Sequence, residues 1–188
     1  MVDFASVERA HQQAIASVFS QSATVGAVTD AMIHALNSGH KVLWCGNGGS
    51  AAEAQHMSAE LMVRYVVNRR PLASIALTTD TSLLTAHSND FDFASVFSRQ
   101  IAALGQAGDM LVAISTSGHS VNVLQALQQA KQQGLVTFAL TGQGPNPLAG
   151  QADFAICVDS TTTARIQEAH TLVNHLICEG LDLAFNHN

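Results

Sequence analysis

Basic residues are scarce in this chain: eight lysines and arginines stand against fourteen aspartates and glutamates over 188 residues, for a formal net charge of −6. A surface that neutralises the phosphates of a polynucleotide needs clustered Lys and Arg, so this balance argues against sequence-independent nucleic-acid binding and leaves small anions open. Long apolar runs are missing too, and no stretch approaches the length needed to span a bilayer. The opening Met-Val-Asp-Phe-Ala-Ser-Val-Glu has neither the basic region nor the apolar run of a signal peptide. A cytoplasmic location with no membrane or nucleic-acid partner is therefore expected. Cysteine is limited to Cys45, Cys157 and Cys178, an odd number in apolar surroundings, which argues against a disulfide framework and for reduced core residues. What is abundant is core material: 47% of the residues are hydrophobic, enough for one globular domain over residues 1–188.

The most informative stretch is Lys41 to Glu60, Lys-Val-Leu-Trp-Cys-Gly-Asn-Gly-Gly-Ser followed by Ala-Ala-Glu-Ala-Gln-His-Met-Ser-Ala-Glu. A short apolar run ending at Cys45 predicts a buried strand, Gly46, Gly48 and Gly49 predict a tight turn, and Ser50 is positioned to cap an alanine-rich helix. A glycine turn opening a helix favours an anion, so phosphate is the natural guest. The spacing is neither the dinucleotide G-x-G-x-x-G nor the P-loop pattern, since no lysine follows the turn. Along the same helix His56 and Glu60 stand at i and i+4 and project from one face. Each feature alone is commonplace; a His/Glu pair one helix length beyond an anion-binding turn is less so.

Before this stretch, helices are predicted from about Phe4 to Phe19 and Thr24 to Ser38, forming an N-terminal pair over residues 1–40 ahead of an α/β core over 41–188. Val25, Val28, Met32, Ala35 and Leu36 make an apolar stripe that must be covered by the sheet or by another subunit, so oligomerisation through these helices is expected. After it, Asn68-Arg69-Arg70-Pro71 breaks the pattern. Strands follow at Ala73–Thr78, Met110–Ile114, Val136–Thr141 and Phe154–Val158. Helices are expected from Thr79 to Asp90, Phe93 to Leu104 and Val121 to Gln133, with a long closing helix from Thr163 to Phe185. Strands separated by helices predict a parallel sheet with ligands at its carboxyl ends. The third strand runs into Ser115-Thr116-Ser117-Gly118-His119-Ser120, a second candidate phosphate cradle in which hydroxyls and helix amides can both donate; an ordinary serine-rich helix cap is the plainer alternative. In the closing helix Gln167 and His175 lie within about 80° of each other, at ~100° per residue.

Together, Cys45–Ser50, Ala54-Gln55-His56 with Glu60, Ala76–Asp80, Asn89-Asp90, Phe97–Gln100, Ser115–Gly118 and Arg165–Glu168 with His175 resemble the sugar isomerase (SIS) family, and within it the phosphoheptose isomerases. The resemblance implies a three-layer fold with a five-stranded parallel sheet flanked by helices. It also implies a homotetramer with active sites at subunit interfaces. By position, Asn47, Gly48, Gly49, Glu60, Asn89, Asp90 and Gln167 would contact substrate, Ser115, Thr116, Ser117 and Ser120 would surround its phosphate, and Glu60 and His175 would be the acid/base pair. His56, Glu60, Gln167 and His175 match a zinc site, one Zn2+ per subunit. The implied reaction converts sedoheptulose 7-phosphate to D-glycero-D-manno-heptose 7-phosphate through an enediol, for the ADP-heptose of bacterial lipopolysaccharide core. Two segments depart from the family pattern: Arg69–Ser74 and Thr141–Pro147. The alternatives are a non-catalytic SIS-domain protein that binds the replication initiator, or an isomerase or sensor for another sugar phosphate. Gly49, Glu60 and Ser117 keep the isomerase-like residues and favour the enzyme.

Overall fold

In a computed structural model that describes residues 1–186, eight helices and five strands are found. The strands β1 (Val42–Gly46), β2 (Ser74–Ala76), β3 (Met110–Ser115), β4 (Val136–Thr141) and β5 (Phe154–Cys157) form one sheet in the order β2-β1-β3-β4-β5. All four pairings are parallel, with Val42 opposite both Ser74 and Met110, Met110 opposite Val136, and Phe138 opposite Phe154.

The central strands are buried on both faces, and their side chains sort by the two-residue period of a strand. Val42 and Trp44, Met110, Val112 and Ile114, and Phe138 and Leu140 point to one layer, where they meet α1 (Phe4–Phe19), α2 (Ser22–Asn37), α3 (Gly49–Met62) and α8 (Thr163–Phe185). Leu43, Cys45, Leu111, Ala113 and Ala139 point to the other, against α5 (Val96–Leu104), α6 (Val121–Gln132) and α7 (Pro147–Gln151). Helix α4 (Thr81–Asp90) adds Leu84 at the margin of that second layer. The indole of Trp44, buried with the rest, donates to Ser74 Oγ at 2.8 Å.

The N-terminal stripe finds its cover within the chain. Ala14 and Val18 of α1 and Val25, Val28, Met32 and Leu36 of α2 share a core with Ile166, Val173, Ile177 and Leu181 of α8. Of the two covers expected for the stripe, it is the chain's own core that supplies one; Phe4 and Phe19 on α1 remain exposed. Helix α7 was not expected. It starts with Asn146, whose Oδ1 accepts from Ala149 N at 3.0 Å, and Pro147 in its first turn, a helix-start signature inside a stretch that otherwise has loop composition. No helix among the described residues is long and apolar enough to cross a membrane.

Candidate active site

The strand order reverses direction between β1 and β3, and in parallel sheets this switch point is where ligands enter, at the carboxyl ends of the strands. Both turns singled out in the sequence lie there. After β1 the chain passes through Asn47 and Gly48 into α3. Gly48 takes the N-cap position at φ 55°, ψ −119°, a conformation side chains disfavour, and no side chain caps the helix. Ser50 is not the cap expected of it: it lies buried inside the first turn. An uncapped helix start behind this turn keeps the positive end of the helix dipole open to an anion.

After β3 comes the hydroxyl turn. Ser120 occupies the N-cap of α6 yet makes no capping hydrogen bond; its Oγ instead lies 2.9 Å from Ser115 Oγ, which is 3.4 Å from Ser117 Oγ. The plain helix-cap alternative is thus not what this serine does. Thr116 and Ser117 line a cavity of about 290 Å³ with Gln143, Ser160, Thr161 and Thr163. The divergent loop after β4 therefore borders the cradle through Gln143. The two turns are joined by Asn47 and Asn122, whose side-chain amides exchange hydrogen bonds of 2.8 and 2.9 Å. Asn122 was not singled out in the sequence.

The second half of the site lies between α3 and α8. His56 Nε2 is 3.2 Å from Glu60 Oε1, as their i, i+4 spacing predicts. The ring of His175 meets that of His56 edge-on at 5.3 Å. One chain thus brings His175 to the His56–Glu60 pair without help from a second subunit. Glu53, also unforeseen, ties the two helices together: it accepts from Thr171 Oγ1 at 3.0 Å and Asn174 Nδ2 at 2.8 Å.

Gln167 lies about two turns before His175 on α8. A side chain at Gly49 would meet the terminal amide of Gln167, which lies directly on the glycine turn. Gln167 shares a cavity of about 320 Å³ with Gly49, Ser50, Glu53, His170 and Thr171. Along α8 it precedes His175 by about 12 Å at 1.5 Å per residue. His170, buried in the same wall, lies 3.1 Å through Nε2 from the Thr141 carbonyl, and its Nδ1 has no partner. Because that carbonyl can only accept, Nε2 carries the proton; burial pushes the imidazole pKa down to about 4 and keeps the ring neutral.

His56, Glu60 and His175 are donor types that zinc takes. The 3.2 Å between His56 Nε2 and Glu60 Oε1 is close to the spacing of two ligands each about 2 Å from a tetrahedral ion. Gln167, the fourth residue of the expected set, lies against Gly49, and no three His, Cys, Asp or Glu side chains among the described residues close around one point. Asn89 and Asp90 stand apart as well, on the last turn of α4, where Asn89 Nδ2 donates to Asp90 Oδ1 at 2.8 Å. Neither lines the two cavities described above.

Residues 5–142 match the SIS domain family. The phosphoheptose isomerase of Shewanella sediminis is 51% identical over 162 residues, 85% of this chain and 82% of the relative. The chain belongs to the phosphoheptose isomerase family. The family member from Azoarcus is 47% identical over 178 residues, 93% and 90% of the two chains. The solved phosphoheptose isomerase of Neisseria gonorrhoeae superposes with a TM-score of 0.86 at 42% identity, covering 96% of this chain and 95% of its own. That of Francisella tularensis gives 0.88 at 34% identity, over 97% and 100%.

Proposed function

We propose that the protein is an aldose–ketose isomerase that converts sedoheptulose 7-phosphate to D-glycero-D-manno-heptose 7-phosphate. The observation that carries this reading is the meeting of His56, Glu60 and His175 from two helices beside the switch-point crevice. A ketose becomes an aldose when a proton moves between adjacent carbons through an enediol. That requires one group for the carbon-bound proton and another for the protons on oxygen. In this reading the Glu60 carboxylate and the His175 imidazole take these parts. The phosphate sits in the hydroxyl turn of Ser115, Thr116, Ser117 and Ser120 and the uncapped start of α3, and its binding energy fixes the reacting carbons. Gly48, Gly49 and Gln167 hold the sugar where Gln167 crosses the glycine turn.

Zinc belongs to the same proposal, on the donor chemistry of His56, Glu60 and His175; when bound it supplies Lewis-acid polarisation of the sugar carbonyl. A homotetramer with interface sites is also proposed. Its support is that Asn89 and Asp90 lie outside the cradle of their own chain, beside the exposed Phe91 and Phe93, where a neighbour could use them. A cytoplasmic role in making lipopolysaccharide heptose completes the proposal. Incubating the purified protein with a panel of ketose phosphates and following products by NMR tests it: the seven-carbon aldose phosphate should appear, and no turnover of any member would refute the reading.

A further inference from the structure

The segment Asn68-Arg69-Arg70-Pro71, which interrupts the sequence pattern after α3, supplies Arg69 to a buried, multiply bonded ion pair with Asp182. Arg69 and Asp182 are buried, with side chains 0% and 5% exposed, and Arg69 Nε donates to Asp182 Oδ1 at 2.9 Å. The rest of the guanidinium turns to the end of α3. Nη2 donates to the carbonyl of Glu60 and Nη1 to that of Leu61, both at 2.9 Å, supplying donors that the last turn of a helix lacks. The other oxygen of Asp182 accepts from the amides of Val66 and Val67 at 2.8 Å each. Asp182 lies on α8, about two turns beyond His175. One ion pair thus joins the backbone of Glu60 to the helix that carries His175.

Between these anchors the strap from Val63 to Arg70 lays Tyr65 against the site: its ring is 5.3 Å from that of His175, tilted by 32°, while His56 meets His175 at 88°. Val63 and Val66 are 70% and 68% exposed, whereas the half-buried Tyr65 packs against the main core, so the apolar anchor of the strap is Tyr65 itself. Buried ion pairs, moreover, are often no more stabilising than apolar residues of the same size, so their distinctive contribution is geometric.

We propose that Tyr65 is a positioning residue for the isomerase: held by the Arg69–Asp182 pair, its ring walls one side of the His175 imidazole and keeps it aligned with Glu60. This rests on the acid/base roles proposed above. The test compares Tyr65→Ala with Tyr65→Phe. Loss of the ring should lower kcat by about tenfold to a hundredfold, the scale of an ångström-sized misplacement, with KM and inhibition by inorganic phosphate little changed. Phe should restore turnover. Wild-type kcat in Tyr65→Ala would overturn the proposal. So would an equal loss in Phe, which would assign the effect to the hydroxyl, or a loss of phosphate affinity and melting temperature in step with kcat. NMR of the His175 ring protons separates this proposal from the isomerase reading itself. With or without turnover by the wild type, those resonances should shift in Tyr65→Ala and stay near wild type in Tyr65→Phe; unchanged resonances in Tyr65→Ala would reject the ring contact.

Discussion

Asn47 and Asn122 face each other with amide to amide, each donating to the other's carbonyl, at 2.8 and 2.9 Å. The contact locks the glycine turn after β1 to the first turn of α6, and so to the hydroxyl turn after β3. It also engages one donor and one acceptor of a side chain proposed to touch substrate, leaving the second Nδ2 hydrogen, the second Oδ1 lone pair and the main chain of Asn47 for that contact. Asn122→Asp keeps the shape but cannot donate, and leaves two acceptors opposed. The expected cost is about 1–3 kcal/mol, from the unmade bond and the unpaired group it leaves. It should register as weaker binding of both sugar phosphate and inorganic phosphate in calorimetric titrations, together with lower stability. Unaltered affinity for both would mean that the two turns hold their spacing without this pair.

The meeting of His56, Glu60 and His175 within one chain makes a prediction about assembly. Glu60→Gln and His175→Asn should each lose turnover by a factor of ~10²–10⁴, as expected for a general acid or base. Oligomers mixed from the two inactive variants should stay inactive, because each chain then carries one defective member of its own pair. Partial recovery that follows the mixing ratio would show that the working pair comes from two chains.

Much of this site was legible before the fold. The boundaries of β4 and α8 and the face shared by His56 and Glu60 follow from local periodicity, and the two turns from glycine and hydroxyl content. What escaped were partners far apart in the chain. Nothing in the neighbourhood of Asn122 marks it as the mate of Asn47, and Arg69 in sequence is only a break before a strand; its role exists because Asp182 arrives on another helix. Angular position along α8 put Gln167 and His175 on one broad face, but it ignores the rise along the axis that separates them. Helix α5 begins at Val96 rather than Phe93 because Asp92 accepts from Ser95 N and Ser95 Oγ, at 2.6 and 2.7 Å, closing a turn ahead of the helix.

His170 predicts how stability depends on pH. Its folded pKa is pushed down to about 4 by burial, whereas the unfolded chain titrates near the usual 6.5. Between these values the unfolded state binds the extra proton, so stability should fall as pH drops from 6.5 towards 4, by on the order of 3 kcal/mol over the whole range. Urea unfolding of the wild type and of His170→Gln, measured at neutral pH and at about 4.5, isolates this contribution. The variant should lose less stability than the wild type on acidification. Parallel losses would show that the imidazole titrates normally.

For the hydroxyl turn, Ser115→Ala, Ser117→Ala and Ser120→Ala should each weaken sugar phosphate and inorganic phosphate alike, by about 0.5–1.5 kcal/mol for a neutral hydrogen bond lost. The Ser115 and Ser120 variants carry an added effect, since each also removes the partner that orients the other hydroxyl. Competition binding with both anions reads this directly. A change confined to sugar selectivity would move these serines away from the phosphate.

The central claim is that Glu60 and His175 move a proton between adjacent carbons of a seven-carbon ketose phosphate. Proton NMR of sedoheptulose 7-phosphate incubated with the protein in D2O tests it most directly. The account predicts that the aldose heptose 7-phosphate forms with solvent deuterium at C2, and that Glu60→Gln and His175→Asn abolish both conversion and deuterium incorporation. Absence of aldose product and of exchange with the wild-type protein, or exchange that persists unchanged in both variants, would contradict it.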